Sequence, residues 1–283
     1  MVCDFKQTGH GQLAGIIMEK RKKAFEDAAK KRQGNVERPA VSKRMPKSVE
    51  YTNTKVVQPN RQALQKNGVI LDDQQDFFSD VYRMLRTKVL QSMRQNNWNT
   101  LGITSSLPNE GKTITTINLA ISLAKELNQT VLLVDFDLRR PTIHRYFGLN
   151  NDIGLSDYIS GQADIEEVFI NPGVERLVLL PGREPIHNSS ETLSSPQFFA
   201  LIEEMKTRYA DRVILFDLPP LLLADDALTM APFIDAFLLV VEDGVTDEDD
   251  LRNAQKMLAD ANIIGSVLNK AEDLPKNYYQ YYV

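Results

Sequence analysis

Cysteine is nearly absent: Cys3 is the only one among 283 residues. A lone thiol near the start cannot close an internal disulfide, so a disulfide-built scaffold is excluded and a reducing compartment suits the chain. Histidine occurs three times, scattered, so no structural zinc site is expected. No apolar run is long enough to cross a bilayer. The signal-peptide pattern of basic start, apolar centre and small-residue cleavage site is also missing. These gaps predict a cytoplasmic protein. What the chain does have is 42% hydrophobic residues, enough for a sizeable core.

Charge is unevenly placed. Residues 1–67 carry 15 Lys/Arg against 6 Asp/Glu, and the remainder carries 18 against 32. Opposite signs in two segments predict two jobs. The stretch Glu19–Arg32 (EKRKKAFEDAAKKR) favours helix by composition, with a poor apolar stripe. Residues 33–67 are polar, hold Pro39, Pro46 and Pro59, and read as a mostly disordered linker. A basic helical and disordered extension of this kind suits an anionic membrane surface or an acidic partner. Nucleic acid is not expected, because no aromatics interleave the charges as stacking platforms.

From about residue 68 short apolar runs alternate with helical stretches. TLGIT (100–104), VLLVD (131–135), RLVLL (176–180), VILFD (213–217), AFLLVV (236–241) and IIGSVL (263–268) read as buried strands, with helices expected over 112–128, 196–209 and 247–261. Continuous apolar strands alternating with helices predict an α/β fold with a doubly wound, mostly parallel sheet. The expected organisation is a basic extension and linker over 1–67, a P-loop domain over 68–270 and a C-terminal tail over 271–283.

The chemistry sits at the ends of those strands. After the first comes TSSLPNEGKTITT (104–116), in which Gly111-Lys112-Thr113 opens a helix. Backbone N–H groups at a helix N-terminus point at phosphate oxygens, a lysine there reaches the β- and γ-phosphates, and a Ser/Thr hydroxyl helps hold Mg²⁺. The strict pattern is incomplete, since Ser106 stands where a first glycine is usual. The context supplies what the motif lacks, with a strand ending before it and a helix beginning at it. VLLVDFDLRRP puts Asp135 and Asp137 at the carboxyl end of a second strand, and VILFDLPPLLL puts Asp217 at the end of a third. In open α/β sheets ligands bind outside those ends, so Thr113, Asp135, Asp137 and Asp217 are expected around one metal-bound triphosphate.

Together SSLPNEGKT, LLVDFDLRRP and ILFDLPP resemble the Walker A, A′ and B motifs of the bacterial tyrosine kinases of capsule and exopolysaccharide synthesis. SDVYRMLRTK (79–88), GLSDYISG, LLPGREPIHNSSETLSS and SVLNKA also look familial, so the resemblance covers about 70–283. It departs from the family at four places: Asn109 for a glycine, Leu218 for a Ser/Thr, Asp80 for a glutamate and Lys88 for an asparagine. The resemblance implies ATP and Mg²⁺. Ser106, Pro108, Asn109, Glu110, Gly111, Lys112, Thr113 and Ile114 would hold the phosphates, with Asn269 on the base. Thr113, Asp135 and Asp217 would serve the metal. Lys112, Asp135, Asp137 and Asp217 are the expected catalytic residues, with Asp137 or Asp135 orienting the tyrosine hydroxyl.

The chain finishes NYYQYYV, with four of its nine tyrosines in seven residues. In the family such a tail is the autophosphorylation cluster, which makes Tyr278, Tyr279, Tyr281 and Tyr282 the expected acceptors. The family also implies a ring of subunits, with Asp80, Arg83 and Arg86 at the contact. It further implies an activating membrane co-polymerase, with the kinase peripheral to the inner face of the membrane. The alternatives are a partition or division-site ATPase, or a nucleotide-bound scaffold of a membrane assembly. The ATPase group carries a second lysine where this chain has Leu107.

Overall fold

A computed structural model describes residues 2–4, 54–71, 77–150, 152–207 and 211–271. The basic stretch 19–32, most of the expected linker and the tail tyrosines lie outside the described residues.

Nine strands form one sheet. They are β1 (Val2–Asp4), β2 (Lys55–Val56), β3 (Thr100–Ser105), β4 (Thr130–Asp135), β5 (Ile170–Asn171), β6 (Leu177–Leu180), β7 (Arg212–Asp217), β8 (Ala236–Glu242) and β9 (Ile263–Asn269). Their spatial order is β1-β9-β8-β3-β7-β4-β6-β5-β2. The six strands read from the sequence form the parallel centre, β9 through β6. β1 adds antiparallel to β9 at one edge, and β5 adds antiparallel to β6 near the other.

The continuous apolar runs have a simple cause. Successive side chains of a strand point to opposite faces, so a run apolar at every position needs cover on both. Along β4, Val131 and Leu133 enter one core cluster, while Leu132 and Val134 enter the other. Along β7, Val213 and Leu215 divide from Ile214 and Phe216 in the same way. Burying each such side chain contributes roughly 1.5–3 kcal/mol.

The first cluster is covered by α1 (Arg61–Lys66), α2 (Phe77–Asn96) and α3 (Lys112–Ala124). In α2 the buried residues Val81, Leu85, Val89 and Met93 recur every fourth position, which draws one stripe along the helix. α3 is buried over nearly its whole length. The second cluster is covered by α8 (Pro196–Thr207), with α5 (Leu155–Ile159), α6 (Ile165–Val168) and α7 (Ser189–Leu193) before it in the chain, whereas α4 (Ile143–Tyr146) packs on the first through Ile143. α9 (Asp226–Met230) and α10 (Glu248–Met257) follow.

The expected linker over 33–67 needs correction at its end. Val57 adds to the strand pairing of β2 through its N–H on the Asn171 carbonyl, and Asn60 caps α1 by accepting from the N–H groups of Gln62 and Ala63. Leu64, 2% exposed, joins the core. Asn67 donates to the carbonyls of Arg145 and Tyr146. The stretch is polar on average, but one apolar residue and two asparagines at cap positions suffice to fix it.

Among the described residues no helix is long and apolar enough to cross a membrane.

Candidate active site

The carboxyl ends of the adjacent strands β3, β7 and β4 bring the expected residues together. Asp135 and Asp217 are direct register partners across β4 and β7. The loop after β3 turns into α3 at Gly111, whose φ is 90°. A Cβ there would meet the Asn269 amide nitrogen at 2.0 Å, so only glycine fits. Asn109 also takes the left-handed conformation, with φ 65°. Asparagine is the non-glycine residue that adopts it most readily, which explains how it replaces the family's glycine here.

Lys112 begins α3 and is buried. Its Nζ lies 2.7 Å from Asp137 Oδ2, 3.8 Å from Asp217 Oδ1 and 3.3 Å from the Thr113 hydroxyl. Thr113 donates to Asp217 Oδ2 at 2.7 Å, and Thr116 donates to the Lys112 carbonyl at 2.8 Å. Asp135 Oδ2 accepts from the Ile143 N–H at 3.0 Å, while its Oδ1 is buried without a partner. Asp137 Oδ1 accepts from the Arg140 N–H at 3.1 Å.

Three buried carboxylates thus face one ammonium. Burial pushes the Asp217 carboxyl up to about 6, against the pull of the Lys112 charge and the Thr113 hydroxyl. Burial, then the Asp217 charge, raises Asp135 well above the ordinary carboxylate range. Burial pulls Lys112 down, but the charges of Asp217 and Asp137 outweigh it and hold the ammonium protonated. Excess negative charge in a low-dielectric site is costly unless a cation joins it. Thr113, Asp217 and the unpartnered oxygen of Asp135 are hard oxygen ligands that fit Mg²⁺. Among the described residues no three His, Cys, Asp or Glu side chains form a self-sufficient metal cage.

A cleft of about 610 Å³ opens above these groups. Pro108, Asn109, Gly111, Lys112, Thr113 and Ile114 form one side of it, with Asn269 beside them. Of the expected phosphate-binding residues, Ser106 and Glu110 are set differently. Ser106 is buried under the loop, and its carbonyl accepts from the Leu222 N–H. The Glu110 side chain turns inward, where it accepts from the Leu107 N–H at 2.9 Å and from the Thr246 hydroxyl. Asn269 donates to the Glu110 carbonyl at 2.9 Å, so it braces the loop as well as facing the cleft. Leu218 turns into the second core cluster, where Gly102 leaves room for it. The family's hydroxyl at that position has no substitute from Leu218.

The cleft also carries residues for which the sequence suggested no role. Arg139, Arg140, Thr142, Tyr146, Pro220 and Leu223 line it. Arg139 is clamped by Asp225 (3.0 Å), by Asp226 (3.3 Å) and by Ser189 (3.2 Å). Lys270 Nζ bridges the Asn109 carbonyl and Glu242 Oε2, each at 2.8 Å. The doublet of basic residues in LRRP was the only available signal for these residues. Nothing marked Lys270 as engaged.

Asp80, Arg83 and Arg86 do not share one free face. Arg83 pairs with Asp80 at 2.9 Å on the surface. Arg86 reaches across to α3, donating to the Ser122 carbonyl at 2.9 Å and pairing with Glu126 at 3.2 Å.

Comparison with known proteins agrees with this site. The AAA domain family profile matches residues 109–243. Over 214 residues the chain is 30% identical to a putative tyrosine-protein kinase, CapB, of Staphylococcus aureus, spanning 75% of this chain and 92% of CapB. It is 29% identical to the tyrosine-protein kinase YwqD of Bacillus subtilis (strain 168), over 77% of this chain and 92% of YwqD. The kinase domain of the Escherichia coli tyrosine kinase ETK superposes with a TM-score of 0.65 at 28% identity, covering 73% of this chain and 82% of that one. With a phosphate loop opening α3, aspartates at and just beyond the ends of β4 and β7, and these relatives, the chain belongs to the bacterial tyrosine-protein kinase family and is a protein-tyrosine kinase.

Proposed function

We propose that this kinase uses Mg-ATP to phosphorylate its own C-terminal cluster, Tyr278, Tyr279, Tyr281 and Tyr282, and that the modified tail regulates capsule or exopolysaccharide synthesis and export. The observation that carries the reading is the Lys112–Asp137 pair at 2.7 Å beside the Thr113–Asp217 hydrogen bond. Lys112 exchanges Asp137 for the phosphates when nucleotide binds. Asp137 is then released, in the cleft, to accept a proton from a tyrosine hydroxyl. The phenol oxygen bonds to the γ-phosphorus, the bond to the β-bridging oxygen breaks and ADP leaves. Such transfers are loose, so positioning and charge neutralisation matter most. Mg²⁺, which Thr113, Asp217 and Asp135 would hold, would supply part of that neutralisation. Asp135 is less suited to receive the proton, because it is fully buried, whereas Asp137 lines the cleft.

The rest follows the family resemblance. Subunits assemble in a ring through Asp80 and Arg83, with Arg86 holding α2 to α3. A membrane co-polymerase activates the kinase from the inner face of the membrane, and the basic N-terminus supports contact with that surface. Leu107, where the partition ATPases carry a second lysine, speaks against their switch.

Trypsin cuts after Lys276 and releases NYYQYYV. After incubation with Mg-ATP, mass spectrometry should find a ladder of phosphorylated forms of this peptide. The same assay belongs on protein from native cells and on protein fused to its activator's cytoplasmic segment. An unmodified tail in all three, from protein that binds ATP, defeats the proposal.

A further inference from the structure

We propose that Arg140 binds a phosphotyrosine already present on the tail, and so favours the second and later transfers over the first. The inference rests on the tail being the substrate.

Four cations line the cleft: Lys112, Arg139, Arg140 and Lys270. Three are engaged. Lys112 pairs with Asp137, Arg139 with Asp225 and Asp226, and Lys270 with Glu242. The Arg140 guanidinium is exposed and has no partner among the described residues. Its backbone is nonetheless fixed. The Arg140 N–H donates to both the side chain (3.1 Å) and the carbonyl (3.0 Å) of Asp137. Asp137 touches the phosphate-reaching lysine, so Arg140 stands beside the transfer end of the cleft. A free guanidinium fork suits a phosphate, which it can hold with two parallel hydrogen bonds.

The cleft also offers a place for the ring of the acceptor. Pro219, Pro220 and Leu223 line it, and Leu223 is 59% exposed, an apolar surface for an aromatic ring to cover. The tail sequence YYQYY supplies tyrosines one, two and three residues apart. At roughly 3.3–3.6 Å per residue, a tyrosine at the transfer position places its neighbours within one side-chain length of the cleft's lining. An unmodified neighbour offers Arg140 no charge. A phosphorylated one carries about −1.5 to −2. Arg140 therefore discriminates between a tail that has been phosphorylated and one that has not.

The test follows the NYYQYYV ladder over time in the full chain with Mg-ATP, comparing wild type, Arg140→Ala, Arg140→Lys and the remote surface change Lys256→Ala. Arg140→Ala should accumulate the singly phosphorylated peptide, with doubly and higher modified forms reduced about tenfold relative to it. Arg140→Lys should restore part of the ladder, and Lys256→Ala should match wild type. A wild-type ladder in Arg140→Ala overturns the inference. So does an equal slowing of every step, which would mean that Arg140 serves something all transfers need. A wild-type tail that stays unmodified in purified protein, in protein from native cells and in the activator fusion, while the protein binds ATP, overturns the tail-substrate reading itself, and this inference with it.

Discussion

Two charge clusters lie at the same end of the sheet and differ in how they are balanced. In the first, Asp135, Asp137 and Asp217 surround one lysine, and Asp135 Oδ1 has no partner. In the second, Asp226 is fully buried yet accepts from Ser189, Ser190 and Arg139, while Asp225 is held below the ordinary carboxylate range by its Ser190 hydrogen bond. The second cluster is complete as it stands and holds α7 and α9 to the loop after β4. The first is left with charge and lone pairs that only a ligand can satisfy. The difference teaches where chemistry belongs: the cluster that folding does not complete is the one that binds.

The comparison breaks most sharply at Lys112. Lys112→Met should reduce tail phosphorylation by about a thousandfold or more, the scale expected when a charge-stabilising group is lost. It should also lower the melting temperature of the unliganded protein, because it leaves Asp137 and Asp217 without their cation. Labelling at the wild-type rate would reject the phosphate loop.

In the satisfied cluster the larger effect should fall on stability. Asp226→Ala removes three hydrogen-bonding partners' common acceptor and should cost about 3–5 kcal/mol by denaturant unfolding. A loss under 1 kcal/mol would show that the cluster is dispensable.

Asp217→Asn sharpens the contrast through pH. A carboxyl raised to about 6 binds its proton more tightly folded than unfolded. Stability without ligand therefore falls as pH rises from about 4 to 6 and stays lower above. The variant should show a shallower fall over that window, melt a few degrees higher at pH 7, and lose kinase activity. A slope equal to wild type would mean that Asp217 carries no such burden.

The smallest effects are expected on α2. Arg86→Ala should cost about 1–2 kcal/mol, since it deserts the Ser122 carbonyl and Glu126. Arg83→Ala, an exposed pair, should cost under about 1 kcal/mol yet lower the mass seen by light scattering. Unchanged mass in Arg83→Ala would remove this helix from the subunit contact.

Much of this architecture was legible because the central strands are mostly apolar and three of them, β4, β7 and β9, end in aspartate or asparagine. That pattern gave six strands, three of the long helices to within a few residues, and the meeting of Thr113, Asp135, Asp137 and Asp217; the longest helix, α2, was visible only through the resemblance. β1, β2 and β5 were not legible, being two or three residues long and carrying no period. Arg139 joins Asp226 across 87 residues of chain, and Lys270 joins Asn109 across 161. No local spacing encodes such pairs. Arg86 was read as a surface residue because its helical position alone does not show that α3 lies alongside.

Lys270 directly follows β9 at the lip of the cleft, held to the phosphate loop through Asn109. It is therefore a mooring point for whatever follows it in the chain. Tyr278 lies eight residues beyond and Tyr282 twelve, tethers of at most about 29 Å and 43 Å. A leash that short sets an effective concentration of acceptor in the millimolar range around any cleft it can span, and close to none at a cleft beyond it. On the proposed transfer to the tail of a neighbouring subunit, which tyrosine is served first becomes a matter of spacing between clefts, and a partner that alters that spacing by a few ångströms would change the outcome without touching the catalytic groups.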